Sequence, residues 1–278
     1  MKRLFFLFLF GIISGMLQGQ STEDSYREYL YKTIDTVELT IGVYSPDSAQ
    51  FSGVRPAIVF YFGGGWNGGT PDHFRPQAQH FASRGMVAIV VDYRVAKRHG
   101  TTPFESLQDA KSAMRYVRAH AEMLGIDPKQ IVAGGGSAGG HLAAACATIT
   151  AYDDPADDLS VSPVPNALVL FNPVYDNGPD GYGYERIGDA YPNFSPLHNL
   201  KIGTPPTLVL FGTEDALVPV ETIATFQAKM DSVGSRCETI LYQGEKHGFF
   251  NTRNPFHFQQ TLMAADVFLT DLGYLPNP

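Results

Sequence analysis

The sequence predicts an α/β protein, a mostly parallel sheet with helices on both faces. Two observations lead there. Strand-like runs alternate with helix-like runs at a spacing that builds parallel sheets. Two of the strand runs, "AIVFYF" (57–62) and "MVAIVVDY" (86–93), are continuously apolar, as strands covered on both faces are.

In order, the strands begin with Val37–Tyr44, whose apolar–polar alternation suits a half-buried strand. Runs 57–62 and 86–93 follow, then "IVAGG" from Ile131, then Ala167–Phe171, Thr207–Gly212 and 238–242. Helices are expected around Arg75–Ser83, 105–121, 141–150, 221–233 and 255–272. In such sheets ligands bind beyond the carboxyl ends of the strands, so functional residues are sought just after each strand.

The chain has 278 residues, 44% apolar and 17% charged, a composition that excludes a disordered or fibrous protein. Lys2 and Arg3 precede an apolar run, 4–17, and then "QGQSTEDS". That pattern predicts a signal peptide over 1–19, which leaves one domain over 20–278. The run is shorter than the roughly 20 residues that span a bilayer. Export to the periplasm or medium is therefore expected, without stable membrane association. Loss of Lys2 and Arg3 would take the formal charge from −8 to −10, which argues against nucleic acid as a partner. The two cysteines, Cys146 and Cys237, lie in apolar stretches and are expected as buried free thiols.

"IVAGGGSAGGHLAAA" (131–145) places a G-x-S-x-G pattern, Gly135 to Gly139, between a strand and a helix. This is the setting of a nucleophile elbow at Ser137. Residues two positions either side must be small, and the following helix points its positive end at the site. "FGGGW" (62–66) follows another strand, and its glycines free backbone N–H groups. Gly64 and Gly65, with Ala138, could hold the oxyanion of a tetrahedral intermediate.

A serine nucleophile needs a base, and the base an orienting carboxylate. "TEDALVP" supplies Asp215, with Glu214 as rival, and "GEKHGFFN" supplies His247. The other histidines lie in poorer contexts, His141 inside the elbow helix and His257 in the last helix. Gly63-x-Gly65-x-x-Gly68, with Asp92 ending the next strand, also fits a dinucleotide fingerprint. Pro71 makes a poor helix where that fingerprint needs one, and the order Ser137, Asp215, His247 would go unexplained. No H-E-x-x-H, zinc-spaced Cys/His cluster or phosphate loop is present, so no metal or cofactor is implied.

These segments, together with "SPLHNL…GTPPTLVLFGTEDALVPV", resemble the bacterial esterase/lipase group of α/β-hydrolases, which includes acetyl esterases, xylan-deacetylating enzymes and relatives of hormone-sensitive lipase. The resemblance implies an eight-stranded sheet, a Ser137–Asp215–His247 triad and hydrolysis of a carboxylic ester through an acyl-serine. Two positions depart from that pattern. Phe62 stands where the loop usually has histidine, and Gly136 stands where the hormone-sensitive branch is acidic.

A short, tyrosine-rich lid is expected between Ala167–Phe171 and Thr207–Gly212, carrying Tyr175, Tyr182, Tyr184 and Tyr191. Aromatic rings with polar tips suit a sugar face. Phe62, Trp66 and Tyr175 are the expected substrate contacts. The substrate expected is a small short-chain ester or an acylated carbohydrate. Aromatic (feruloyl) esters and lipids are the alternative esters. A serine peptidase and an inactive binding module are the readings outside ester hydrolysis.

Overall fold

The computed structural model describes residues 26–277. The expected signal peptide, 1–19, lies outside the described residues. Eight strands form one sheet in the order β1-β2-β4-β3-β5-β6-β7-β8. They are β1 (Tyr26–Ile34), β2 (Val37–Tyr44), β3 (Arg55–Tyr61), β4 (Val87–Val91), β5 (Ile126–Gly136), β6 (Ala167–Phe171), β7 (Thr207–Gly212) and β8 (Cys237–Tyr242). β1–β2 and β2–β4 pair antiparallel; every pairing from β4 to β8 is parallel.

Five helices of eight residues or more cover this sheet: α1 (Arg75–Ser83), α2 (Pro103–Ala119), α3 (Ala138–Thr148), α4 (Val220–Ser232) and α5 (Pro255–Asp271). Alternation within the strands divides the core in two. Ala57, Val59 and Tyr61 of β3 pack on the face covered by α2, α3 and α4. Ile58 and Phe60 pack on the opposite face with Phe74, Phe81 of α1 and Phe268 of α5. Burial on both faces explains why the central strands are continuously apolar.

Three elements differ from expectation. β1 was not expected from its sequence: it is an edge strand with a bulge between Leu30 and Lys32, and its side chains are mostly exposed or half-buried. α2 starts two residues earlier than expected, because Thr102 caps it, Glu105 completes the capping box and Pro103 occupies the first turn. α3 starts immediately after Ser137 and is buried along its whole length. Its Gly and Ala residues let it lie close to the sheet. Both cysteines are free; Cys146 is buried, whereas Cys237 is only half-buried.

The lid between β6 and β7 is a chain of short helical turns, Tyr184–Ile187, Gly188–Ala190, Tyr191–Phe194 and Pro196–His198. Leu197 N–H donates to Tyr175 O at 3.0 Å, which stitches the two ends of this segment together.

Candidate active site

Ser137 sits at the sharp turn between β5 and α3 with φ 55° and ψ −123°. A non-glycine residue with positive φ is uncommon and strained. The turn closes because its neighbours lack side chains. A Cβ on Gly135 would lie 2.5 Å from the Gly139 carbonyl carbon, and one on Gly139 would overlap the Tyr61 carbonyl. Ser137 N–H donates to Phe171 O at 3.0 Å, and its carbonyl accepts from His141 N–H at 3.0 Å and from Val174 N–H at 3.3 Å. The backbone that carries the hydroxyl is thus fixed by both β6 and α3.

The next residue of β6's exit, Asn172, reaches the acid. Its Nδ2 donates to Asp215 Oδ2 at 2.8 Å. The same oxygen lies 2.7 Å from His247 Nδ1. Asp215 Oδ1 accepts from Leu217 N–H at 2.9 Å and Val218 N–H at 3.1 Å. Burial alone would raise this carboxyl's pKa. The His247 hydrogen bond and charge, with the two N–H donors, instead hold it below the usual carboxylate value. Asp215 is therefore the ionised partner of His247, while Glu214 is exposed. The His247 loop is placed by packing: Phe250 fills the space beside Gly136, where a Cβ would lie 2.4 Å from its ring if that space were contested.

The glycine loop 62–66, the expected oxyanion loop, lies against the elbow, since a Cβ on Gly63 would be 3.3 Å from Ser137 Cβ. Gly64 has φ +135°, and a side chain there would overlap the Gly68 carbonyl. Gly64 O accepts from Asn67 N–H at 3.0 Å and Gly68 N–H at 3.2 Å. In a trans peptide the N–H points opposite to the carbonyl, so these bonds turn the Gly65 N–H away from the loop's interior. Tyr93 does the anchoring where histidine is usual. Its ring stacks on Phe62 at 4.0 Å, and its hydroxyl donates to Phe62 O at 2.6 Å.

That packing corrects two expected substrate contacts. Phe62, 1% exposed, is occupied by Tyr93 and by the edge of His73. Tyr175 is fully buried, with its ring stacked 3.7 Å from Phe226. Both rings are filled by the protein itself. Trp66 is also buried, yet it lines a cavity together with Gly64 and Gly65. His141 is a packing group: its Nε2 lies 3.0 Å from Phe194 O and its ring stacks on Phe194. Burial pushes its pKa down to about 3, so it is neutral. Asn172, Tyr93 and Arg186, which binds Gly65 O, were not singled out in the sequence. Asn172 alone carried a positional signal, because it directly follows a strand.

No group of three or more metal-ligating side chains occurs among the described residues. No described helix is long and apolar enough to cross a membrane.

A parallel sheet with a serine on a strained strand–helix turn, followed in the chain by a buried Asp paired with a partly exposed His, defines the α/β-hydrolase class. The chain belongs to the esterases of the α/β-hydrolase fold. The BD-FAE model matches residues 41–164, and the Dienelactone hydrolase family model matches 182–269. Esterase 2 of Thermogutta terrifontis, phosphoramylated by tabun, is 44% identical with a TM-score of 0.86, over 91% of this chain and 97% of that one. The same esterase has been solved with propionate and with butyrate bound. An acetylxylan esterase of Xylanibacter ruminicola is 28% identical over 78% of this chain and 44% of its own length. A probable carboxylic ester hydrolase, LipM, of Mycobacterium tuberculosis is 28% identical over 84% of this chain and 58% of its own length. The chain thus spans about half the length of these two relatives.

Proposed function

We propose that this protein is a serine esterase that hydrolyses short-chain carboxylic esters, with acetyl groups on carbohydrate as the substrate class. The observation that carries the mechanism is the 2.7 Å His247–Asp215 contact, with Asp215 tied through the Phe171–Asn172 dipeptide to a serine held at positive φ. His247 takes the Ser137 proton as Oγ attacks the ester carbonyl. Gly64, Gly65 and Ala138 N–H groups receive the oxyanion. His247 then gives the proton to the leaving alcohol, and the acyl group stays on Ser137. Water repeats the sequence and releases the acid. Asp215 fixes the imidazole tautomer and stabilises its charged form.

The acyl preference is supported by the short lid, which leaves little to enclose a long chain, and by the propionate and butyrate bound to the Thermogutta esterase. The carbohydrate is supported by the acetylxylan esterase relative. Action after export is supported by the basic start and apolar run of the N-terminus. The test is hydrolysis of p-nitrophenyl esters from acetate to decanoate, with Ser137→Ala alongside. A maximum at acetate or butyrate that vanishes in the variant is expected. A maximum at long chains would refute the acyl preference, and full activity in Ser137→Ala would refute the mechanism.

A further inference from the structure

Next to the oxyanion loop lies a cavity of about 590 Å³, on the side where the loop meets the lid. A Cβ on Gly65 would come 2.5 Å from the Tyr182 hydroxyl. Among the polar residues that line the cavity, Arg186 is the one with a charged side chain; Asn67, Thr101, Thr102 and Tyr182 are neutral. Trp66, 1% exposed, has an Nε1–H without a partner, and the buried Thr101 Oγ1 has none either. Arg186 lies over the Trp66 and Tyr182 rings, 5.4 and 5.5 Å from their centres. It donates through Nη1 to Gly65 O and through Nε to Glu185, leaving Nη2 without a partner among the described residues.

A guanidinium can only donate, and the free Nη2 of Arg186 is the donor left for a ligand, since Trp66 Nε1 and Thr101 Oγ1 are buried behind the wall. The wall also includes Thr102, the N-cap of α2, and Pro103, its first residue; Glu105 already caps that helix end, which leaves the anion to Arg186. No acidic side chain lines the cavity among the described residues. Glu105 is drawn back onto the Thr102 N–H at 2.8 Å, and Glu185 is mostly exposed. A cavity whose one charged lining side chain is a cation with a free donor calls for an anion. In a chain of net charge −8 such a site does not arise from general surface composition.

Size decides which part of a substrate enters. Ligand sites of several hundred Å³ hold drug-sized molecules, far more than an acyl group of two to four carbons. We propose that this cavity binds the alcohol part of the ester through a carboxylate carried on it, as in a uronic acid unit, with Arg186 as the specificity-determining residue. The inference rests on the short-acyl esterase reading for the assignment to the alcohol side. The anion site itself stands on Arg186 and on the lack of an acidic lining side chain among the described residues.

Two measurements test it. Trp66 is the chain's single tryptophan, so its emission reports binding without turnover. D-Glucuronate should change that emission saturably and D-glucose should not, and Arg186→Gln should remove the response. Equal responses to both sugars, or an unchanged response in Arg186→Gln, would overturn the proposal. The second measurement compares hydrolysis of 4-acetoxybenzoate with that of 4-acetoxybenzamide. Arg186→Gln should lower kcat/KM for the anionic ester about tenfold more than for the neutral one, through KM. An equal loss on both esters would mean that Arg186 acts only by holding Gly65 O, and would refute the specificity role. If the wild type cleaves neither ester nor p-nitrophenyl acetate, the esterase reading fails, while the fluorescence titration still decides the anion site.

Discussion

The side-chain amide of Asn172 donates to Asp215 Oδ2, the same oxygen that faces His247 Nδ1. Asn172 holds φ 41°, a left-handed conformation that asparagine tolerates better than most residues. Its backbone neighbour Phe171 accepts from Ser137 N–H. One dipeptide at the end of β6 therefore touches both the Ser137 backbone and the Asp215 side chain.

Separate substitutions distinguish the amide's role from the backbone's. Asn172→Gly keeps the left-handed backbone and removes the donor; it should lower kcat about tenfold and Tm by a few degrees, since a hydrogen bond to a charged group contributes about 1.5–3 kcal/mol. Asn172→Ala adds backbone strain and should lose further stability. Steady-state kinetics on p-nitrophenyl acetate with thermal melts of both variants check this. Wild-type kcat in Asn172→Gly would show that the amide does not orient Asp215.

Ser137 is expected to be a stability defect retained for reactivity. Left-handed backbone costs an L-residue about 1–2 kcal/mol. Ser137→Gly should therefore abolish turnover and raise Tm by about 2–4 °C per kcal/mol relieved. A calorimetric scan that finds a lower Tm would refute strain at the elbow.

Tyr93→Phe should act on the oxyanion loop without touching substrate. It keeps the stacking on Phe62 and removes the 2.6 Å bond to Phe62 O, leaving a buried carbonyl unmet at a cost of about 1–3 kcal/mol. Fold stability should drop, and kcat should fall more than KM rises, because the loop's donors matter most in the transition state. An unchanged kcat with a lowered Tm would assign Tyr93 to packing alone.

Acid should destabilise the protein in two windows with the same sign. His141, held neutral at about 3 against an unfolded value near 6.5, binds fewer protons folded than unfolded between those pH values. Stability should therefore fall as pH drops below about 6.5, by at most about 1.4 kcal/mol per unit. Asp215, with its pKa lowered, contributes stability that is present above about 4 and is lost as pH falls through its folded value. His141→Gln keeps a donor within reach of Phe194 O and should flatten the upper window alone. Melting temperatures from pH 7.5 to 4.5 measure it, and parallel curves for variant and wild type would count against the burial argument.

How much of this was legible in the sequence follows from how local each cause is. Gly135 and Gly139 advertise the elbow because a tight turn needs small residues at fixed offsets. Asp215 and His247 were found by position, each following a strand in the expected order. β1 escaped because an edge strand with a bulge and exposed side chains has no apolar run to mark it. Tyr93 and Arg186 act across 31 and 121 residues of chain, a link that only the folded sheet makes. Tyr175 misled for the opposite reason: an aromatic residue in a lid reads alike whether it meets a ligand or stacks on Phe226.

The stitch between Tyr175 and Leu197 has an implication for the history of the chain. The lid leaves and re-enters the body through neighbouring residues, after the dipeptide that fixes Ser137 and Asp215 has already been laid down. The intervening stretch is topologically a closed excursion, removable or replaceable without cutting any strand pairing. A lineage that exchanged that excursion would keep the strand ends carrying Ser137, Asp215 and His247, but would have to replace the support that Arg186 gives Gly65 O and Phe194 gives His141.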